Sequence, residues 1–259
     1  MAVVESIPAG RLARYPGGEI LFIEDFRSPA FGFWNDGVGG MFRDCDVPFG
    51  SLPSLRIDTQ GQSSGGATSP GRTANTGGVV AKRRIHDGFA GLFGIDMWFR
   101  MTSLNLTTNT YFSMSLYNRD GVNAYHGRVW LDPNGNNAPM VARILDGTQS
   151  QAQATDVWAA PAGTTSVLQN GAGTHTYDAP TGRLDRAGGL HHVKLVMDMA
   201  NKRYVSLRID GNPKVDLRTY VMDSTASASF AGMHFSVELV ASTSTRRFVN
   251  IAQVIGTAE

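Results

Sequence analysis

Two runs of alternating residues separated by a polar turn constrain this chain more than any other feature. In His192 to Met199 the apolar residues Val193, Leu195, Met197 and Met199 take every second position, with His192, Lys194 and Asp198 among the residues between them. Side chains of a strand alternate between faces, so one face of this segment is core and the other is wet. After Ala200-Asn201-Lys202-Arg203 the pattern resumes. Val205, Leu207 and Ile209 are expected inward, with Tyr204, Ser206, Arg208 and Asp210 outward. Asp210-Gly211-Asn212-Pro213 then turns the chain again, so the sequence predicts a β-meander over His191 to Leu217.

Further strands are predicted over 19–26, 78–85, 92–101, 111–118, 125–131, 140–145, 233–240 and 246–255, and no amphipathic helix of ten or more residues is legible. Both faces of Glu19 to Phe26 are largely apolar, which predicts a strand covered on both sides. Ser28 to Pro53 carries Phe31, Phe33, Trp34, Met41, Phe42 and Phe49 among glycines and reads as a long loop pinned by aromatic side chains. Residues 59–78 are too poor in apolar groups to offset their ordering entropy and read as a surface loop. Gln149 to Gly189 reads as a polar excursion or hairpin. Residues 1–18 read as an N-terminal arm and 19–259 as a single domain. Many short strands with glycine-rich turns predict an all-β fold in which two antiparallel sheets pack face to face, most simply as a jelly roll.

Composition excludes several classes. Charged residues are 17% of the chain, below the roughly 25% of an average soluble protein, so the surface must be rich in Ser, Thr, Asn and Gly. With 23 basic and 22 acidic side chains there is no overall field to draw the protein onto nucleic acid. Cys45 is the lone cysteine, so an intrachain disulfide is impossible. Its neighbours Asp44 and Asp46 raise a thiol pKa rather than activate it. The opening residues lack the basic and apolar regions of a signal peptide, and no segment approaches the ~20 apolar residues of a membrane helix. The expectation is a chain made in the cytoplasm, without membrane insertion, that reaches the outside by lysis or within a larger particle.

Four segments, in order, resemble the concanavalin A-like lectin/glucanase superfamily in its laminin-G-like form. They are Ile23-Glu24-Asp25-Phe26 with Trp34 following, then Gly94-Ile95-Asp96-Met97-Trp98-Phe99-Arg100. The third is Gly189-Leu190-His191-His192-Val193-Lys194-Leu195 running on to Tyr204 through Gly211, and the fourth is Phe248 to Ile255. Leu190 stands where the family often has Trp, and Ala252-Gln253 departs from its usual acidic-Asn pair. The resemblance implies the sandwich fold, with the first strand lying beside the last. It implies no single activity, because the superfamily holds lectins, hydrolases, lyases, adhesion modules and virion proteins.

Glucanases of that superfamily use two carboxylates flanking a glycosidic bond. On the face of Asp96 the next residues are Trp98 and Arg100, so a partner would have to come from elsewhere: Glu238 across the sheets, Glu24 or Asp25. Asp132, Asn134 and Asn136 alternate oxygen-bearing side chains as a calcium loop does. Yet Gly135 comes two places early for an EF-hand and Arg143 stands where the twelfth-position Glu would be, so a polar hairpin loop is the better reading. No histidine pair has ligand spacing, and the adjacent His191 and His192 point to opposite faces. In Lys82-Arg83-Arg84 the alternation sends Arg83 away from its neighbours. Sugar rings stack on exposed aromatic rings, which makes Trp34, Trp130, Trp158, Tyr125 and Tyr177 the candidate carbohydrate-binding residues, with Tyr111 beside them. Trp98, inside a strand, reads as core.

These readings converge on a non-catalytic structural or adhesion module, expected as a phage virion protein of the tail or a capsid decoration. It would dock on other virion subunits, assemble as an oligomer and take surface glycans as ligands. The alternatives are a polysaccharide-active glycoside hydrolase or lyase of the same fold, or a bacterial sugar-binding domain. No cofactor is required, calcium being the single candidate.

Overall fold

A computed structural model of the chain describes residues 19–28, 32–35, 39–49, 52–59, 78–86, 91–101, 110–132, 141–147, 153–159, 191–209, 214–226, 232–241 and 248–259. The described residues form two antiparallel sheets and no helix. The first sheet runs β13 (Val215–Asp216), β12 (Arg203–Ile209), β11 (His191–Asp198), β6 (Leu92–Met101), β16 (Phe248–Ala258), β4 (Leu52–Asp58), β3 (Gly40–Phe49), with β1 (Glu19–Glu24) also on β16. The second runs β10 (Gln153–Ala159), β9 (Val141–Asp146), β8 (Asn123–Asp132), β7 (Thr110–Arg119), β15 (Gly232–Ala241), β5 (Gly78–His86), β2 (Trp34–Asn35), with β14 (Asp223–Ala226) on β8. Passing from β4 to β5, β5 to β6, β6 to β7 and β15 to β16, the chain changes sheet each time, which is the wrapping of a jelly roll. β1 pairs with the C-terminal half of β16, so the first strand does lie beside the last.

The core is the set of alternate, inward-facing residues from both sheets. Phe93, Ile95, Met97 and Phe99 of β6 and Val193, Leu195 and Met197 of β11 face Phe112, Met114 and Leu116 of β7 and Phe235, Val237 and Leu239 of β15. Period-two burial on every central strand is what holds the register, because a slip by one residue would expose a whole apolar row.

At β12 the alternation slips. Met197 is opposite Tyr204 and Val196 is opposite Ser206, so Val205 is an extra residue in a β-bulge. Tyr204 is therefore buried and Val205 half-buried, the reverse of the alternating expectation, while Leu207 and Ile209 point inward as expected. The bulge has a use. The Tyr204 hydroxyl accepts from the Arg128 amide at 2.9 Å and donates to the Leu145 carbonyl at 2.8 Å, tying the first sheet to β8 and β9 of the second. Burial raises this phenol well above its ordinary value, so it stays a donor.

Other expectations need correction. Ser28 to Pro53 is not a loop throughout: β3 and β4 form a hairpin at the edge of the first sheet. Its apolar signal is short, since only Leu55 and Ile57 of β4 reach the core, whereas Phe42 is exposed. The strand pairing instead rests on polar groups. Asn250 Nδ2 donates to Asp44 Oδ2 at 3.0 Å and to Ser54 Oγ at 2.9 Å, all three buried. β1 is not covered on both sides, because Leu21 is exposed and Ile20, Phe22, Ile23 and Glu24 are half-buried. By contrast, β10 falls within the stretch read as a polar excursion or hairpin and pairs with β9, as the hairpin alternative expects. The arm over 1–18 and most of the 59–78 loop lie outside the described residues.

Candidate functional site

The outer faces of the two sheets carry different chemistry. On the first, Trp98 is not core: it shares the outer face with Asp96 and is half-buried under a stacked His192 ring, 4.3 Å between centroids. His192 Nε2 lies 2.7 Å from Asp96 Oδ1, and Lys194 Nζ lies 3.3 Å from Asp96 Oδ2. Asp96 is thus held by two flanking residues of β11, with which β6 is in register, and Lys194 supplies the opposing charge.

The second sheet's outer face is built from the residues between its core positions. Neighbouring strands place these in rows. Glu238, Ser113 and Trp130 form one row, Ser236, Ser115 and Arg128 the next, and Arg84, His234, Tyr117 and His126 the third. Directly opposed residues on antiparallel strands share a face, so each row is a line of side chains in mutual reach.

The first two rows hold a buried ion pair between them. Arg128 Nη2 is 3.0 Å from Glu238 Oε2, with side chains 6% and 3% exposed. Arg128 Nε also donates to Ser115 Oγ at 2.8 Å, and its guanidinium lies 5.3 Å from the Trp130 ring centre. The third row is more open. Tyr117 and His126 stack at 3.9 Å with their planes 17° apart, and both residues are half-buried, with His126 Nε2 sealed from solvent. His234, also partly exposed, meets Trp34 edge-on at 5.9 Å. Trp34 is 41% exposed on the edge strand β2. Desolvation first, then the nearby Arg128 charge, hold His126 well below its ordinary pKa, so the ring is neutral at neutral pH. Desolvation raises the Tyr117 phenol, opposed by the Arg128 charge.

The five candidate carbohydrate-binding residues therefore separate. Trp34 is offered to solvent on the edge strand, in register with Lys82 of the Ser236 row and touching His234 of the aromatic row edge-on. Trp130 is 1% exposed under Arg128 and faces protein, because the outer face of β8 is itself covered at that point. Tyr125 is half-buried against the core with Lys202 over its ring at 4.5 Å. The Trp158 side chain and all of Tyr177 lie outside the described residues, as do the side chains of Tyr111 and Asp132 and the whole of Asn134 and Asn136. Among the described residues no cluster of three or more His, Cys, Asp or Glu is placed to hold a metal.

The acids weighed for catalysis are not brought together. Asp96 and Glu238 lie on opposite outer faces with the core between them. Glu24 is ion-paired with Arg83 and accepts from the Phe26 amide at 3.1 Å, and Asp25 pairs with Arg27 at 3.0 Å. Arg83 points away from its neighbours as the alternation predicts, lying over Phe22 at 4.8 Å while Arg84 is exposed.

Tyr117, His126, His234 and Arg128 were not singled out from the sequence as a site. Their signal was present, since each occupies a non-core position of a legible strand. What the sequence does not carry is that β15, β7 and β8 are neighbours.

No protein-family model matches the sequence, and no curated protein does. Solved structures with the same fold include the binding domain of botulinum neurotoxin DC in complex with rat synaptotagmin II, at 10% identity and a TM-score of 0.50, covering 93% of this chain and 48% of that one. The chain spans about half the length of that neurotoxin domain. The CBM2 module of the evolved Dit of Lactobacillus casei BL23 phage J-1 is similar at 13% identity and a TM-score of 0.45, over 93% of this chain and 96% of that one. The Emp47p carbohydrate recognition domain is similar at 9% identity and a TM-score of 0.47, again over 93% and 96%. At these identities the likeness is one of fold.

Proposed function

We propose that this chain is a non-catalytic glycan-binding module of the concanavalin A-like type, and that it binds through the outer face of the second sheet. The observation that carries this reading is the aromatic row of Tyr117, His126 and His234 with Trp34 against its edge. A half-exposed Tyr117–His126 stack, His234 and an exposed Trp34 ring line one flat face, and flat aromatic surfaces receive the C–H faces of sugars.

The binding reading is favoured over hydrolysis by the state of the carboxylates. Each acid considered for catalysis is bound to a cation, and the two on central strands face opposite ways. A retaining or inverting glycosidase needs two carboxyl groups about 5–10 Å apart across one groove. The finer reading is a virion component that carries this face outward while docked on other subunits. The low charge content and the exposed edge residues Phe42 and Leu21 support attachment to a larger assembly.

The test is a glycan array probed with the intact protein, repeated with Trp34→Ala, beside incubation with a polysaccharide panel. Binding that falls with the Trp34 variant, without release of reducing ends or unsaturated products, supports the reading. Product release from any polysaccharide overturns it, as does an array blank for the folded protein.

A further inference from the structure

We infer that Glu24 and Arg83 are positioning residues for Trp34, holding the short segment that lays its ring against the aromatic row. The inference rests on the reading that this row binds glycan, and names what presents the ring at its edge.

β2 is two residues long and pairs with β5 only through Trp34 with Lys82 and Asn35 with Ala81. So little pairing at a sheet edge gives little local stability, and the placement of Trp34 must be set by something else. The ring also reaches further than the pairing does. β5 lies between β2 and β15, yet the Trp34 ring meets the His234 ring of β15 edge-on at 5.9 Å. With strands about 4.8 Å apart, the indole has to lie across β5 to do so.

The hold comes from the inward side. Arg83 stands opposite the core residue Phe235, and Glu24 opposite the core residue Val254, so both point between the sheets. There they form an ion pair, with side chains 20% and 12% exposed. The Arg83 guanidinium lies 4.8 Å from the Phe22 ring centre and 5.9 Å from that of Phe33. Glu24 also accepts two backbone amides, Phe26 N on Oε1 at 3.1 Å and Gly32 N on Oε2 at 3.3 Å. One carboxylate thus joins β5 to the segment that leads into β2.

Between Gly32 and Trp34 stands Phe33, 6% exposed, which packs on Phe26 at 5.9 Å and on Phe235 at 6.1 Å. With Gly32 tied to Glu24 and Phe33 sunk in the core, strand alternation sends Trp34 outward. Gly32 itself leaves no room for a side chain, because a Cβ there would lie 3.0 Å from both Arg83 Cζ and Nη1. A mostly buried ion pair adds little net stability over an apolar replacement, but its directed bonds select one geometry. The geometry selected here is that of the backbone two residues before Trp34.

Two-dimensional NMR of the intact protein, labelled with heavy nitrogen, tests this without a ligand. The chain has four Trp, and the Trp34 indole signal is the one lost in Trp34→Phe. In the parent it should show a contact to the His234 ring. In Glu24→Gln that contact should vanish and the heteronuclear NOE of this indole should fall, with the other three indoles unmoved. Asp25→Asn, which removes the neighbouring carboxylate bonded to Arg27, should change none of the four. Should Glu24→Gln fail to fold, Arg83→Lys keeps the charge without the flat guanidinium beside the two phenyl rings and should loosen the same signal. An unchanged Trp34 signal in a folded variant overturns the inference. On a glycan that the parent binds, Glu24→Gln and Trp34→Ala should each lose about tenfold, or about 1.4 kcal/mol, and the double variant no more than either. Additive losses overturn the inference and leave the glycan-binding reading standing. An array blank for the folded parent overturns that reading, while the indole signal still decides whether Glu24 and Arg83 position Trp34.

Discussion

Arg128 and Glu238 sit 3.0 Å apart on adjacent rows of the second sheet, with β7 between their strands and both side chains almost fully withdrawn from solvent. The pair ties together the two rows beside the aromatic row. Arg128 reaches it with its backbone already tied to Tyr204 of the opposite sheet, so one residue links the core, the ion pair and the binding face.

Removing one partner of a buried pair leaves an uncompensated charge, which costs about 3–5 kcal/mol. Glu238→Gln should therefore lower the denaturant midpoint by that order, with an unchanged slope. Replacing both partners, as Arg128→Met with Glu238→Leu, should recover most of the loss. A Glu238→Gln protein within about 1 kcal/mol of the parent would show that the charge is not sealed in.

Tyr204→Phe removes the hydroxyl that satisfies the Arg128 amide and the Leu145 carbonyl across the sandwich. Stranding these buried groups should cost about 1–3 kcal/mol, read from chemical denaturation. The same change at half-exposed Tyr220 serves as the control.

His126 is held neutral in the folded state, and in the unfolded chain it titrates near 6.5. Below that pH the unfolded chain binds the proton and the native one does not, so native stability falls as pH drops and is regained on raising pH through about 6.5. His126→Phe should flatten this part of the stability profile while sparing the high-pH plateau. An unchanged acid slope in the variant would assign the effect to other groups.

Gly127 of β8 faces Met197 and Tyr204 of the first sheet. An added Cβ would sit 2.5 Å from Met197 Sδ. Gly127→Ala should cost about 1–3 kcal/mol through overpacking, softened by the flexibility of the methionine. Gly147→Ala should be worse, because its Cβ would meet the Met222 carbonyl oxygen at 2.4 Å, and backbone cannot step aside.

Trp34→Ala should leave the melting temperature close to the parent, because the ring is on an edge strand and 41% exposed. Glycan affinity should fall about tenfold or more. A large loss of stability with no change in binding would make Trp34 a structural residue.

The sequence by itself determined the fold class, because period-two burial is a local property that each strand displays alone. Val193, Leu195 and Met197, or Phe235, Val237 and Leu239, announce an inward face whatever lies beside them. It also exposed the outward residues, such as His234 and Glu238, as non-core. Tertiary structure alone decided the rest. The phase slip at Val205 depends on the partner strand β11, and the β3–β4 hairpin depends on Asn250, some 200 residues away, to satisfy Asp44 and Ser54. The candidate face depends on β5, β15, β7 and β8 becoming neighbours, which joins Arg84, His234, Tyr117 and His126 across 9 to 150 residues of chain. Alternation tells a residue which way to point. Strand order, set by how the two sheets wrap around one core, tells it what to stand beside.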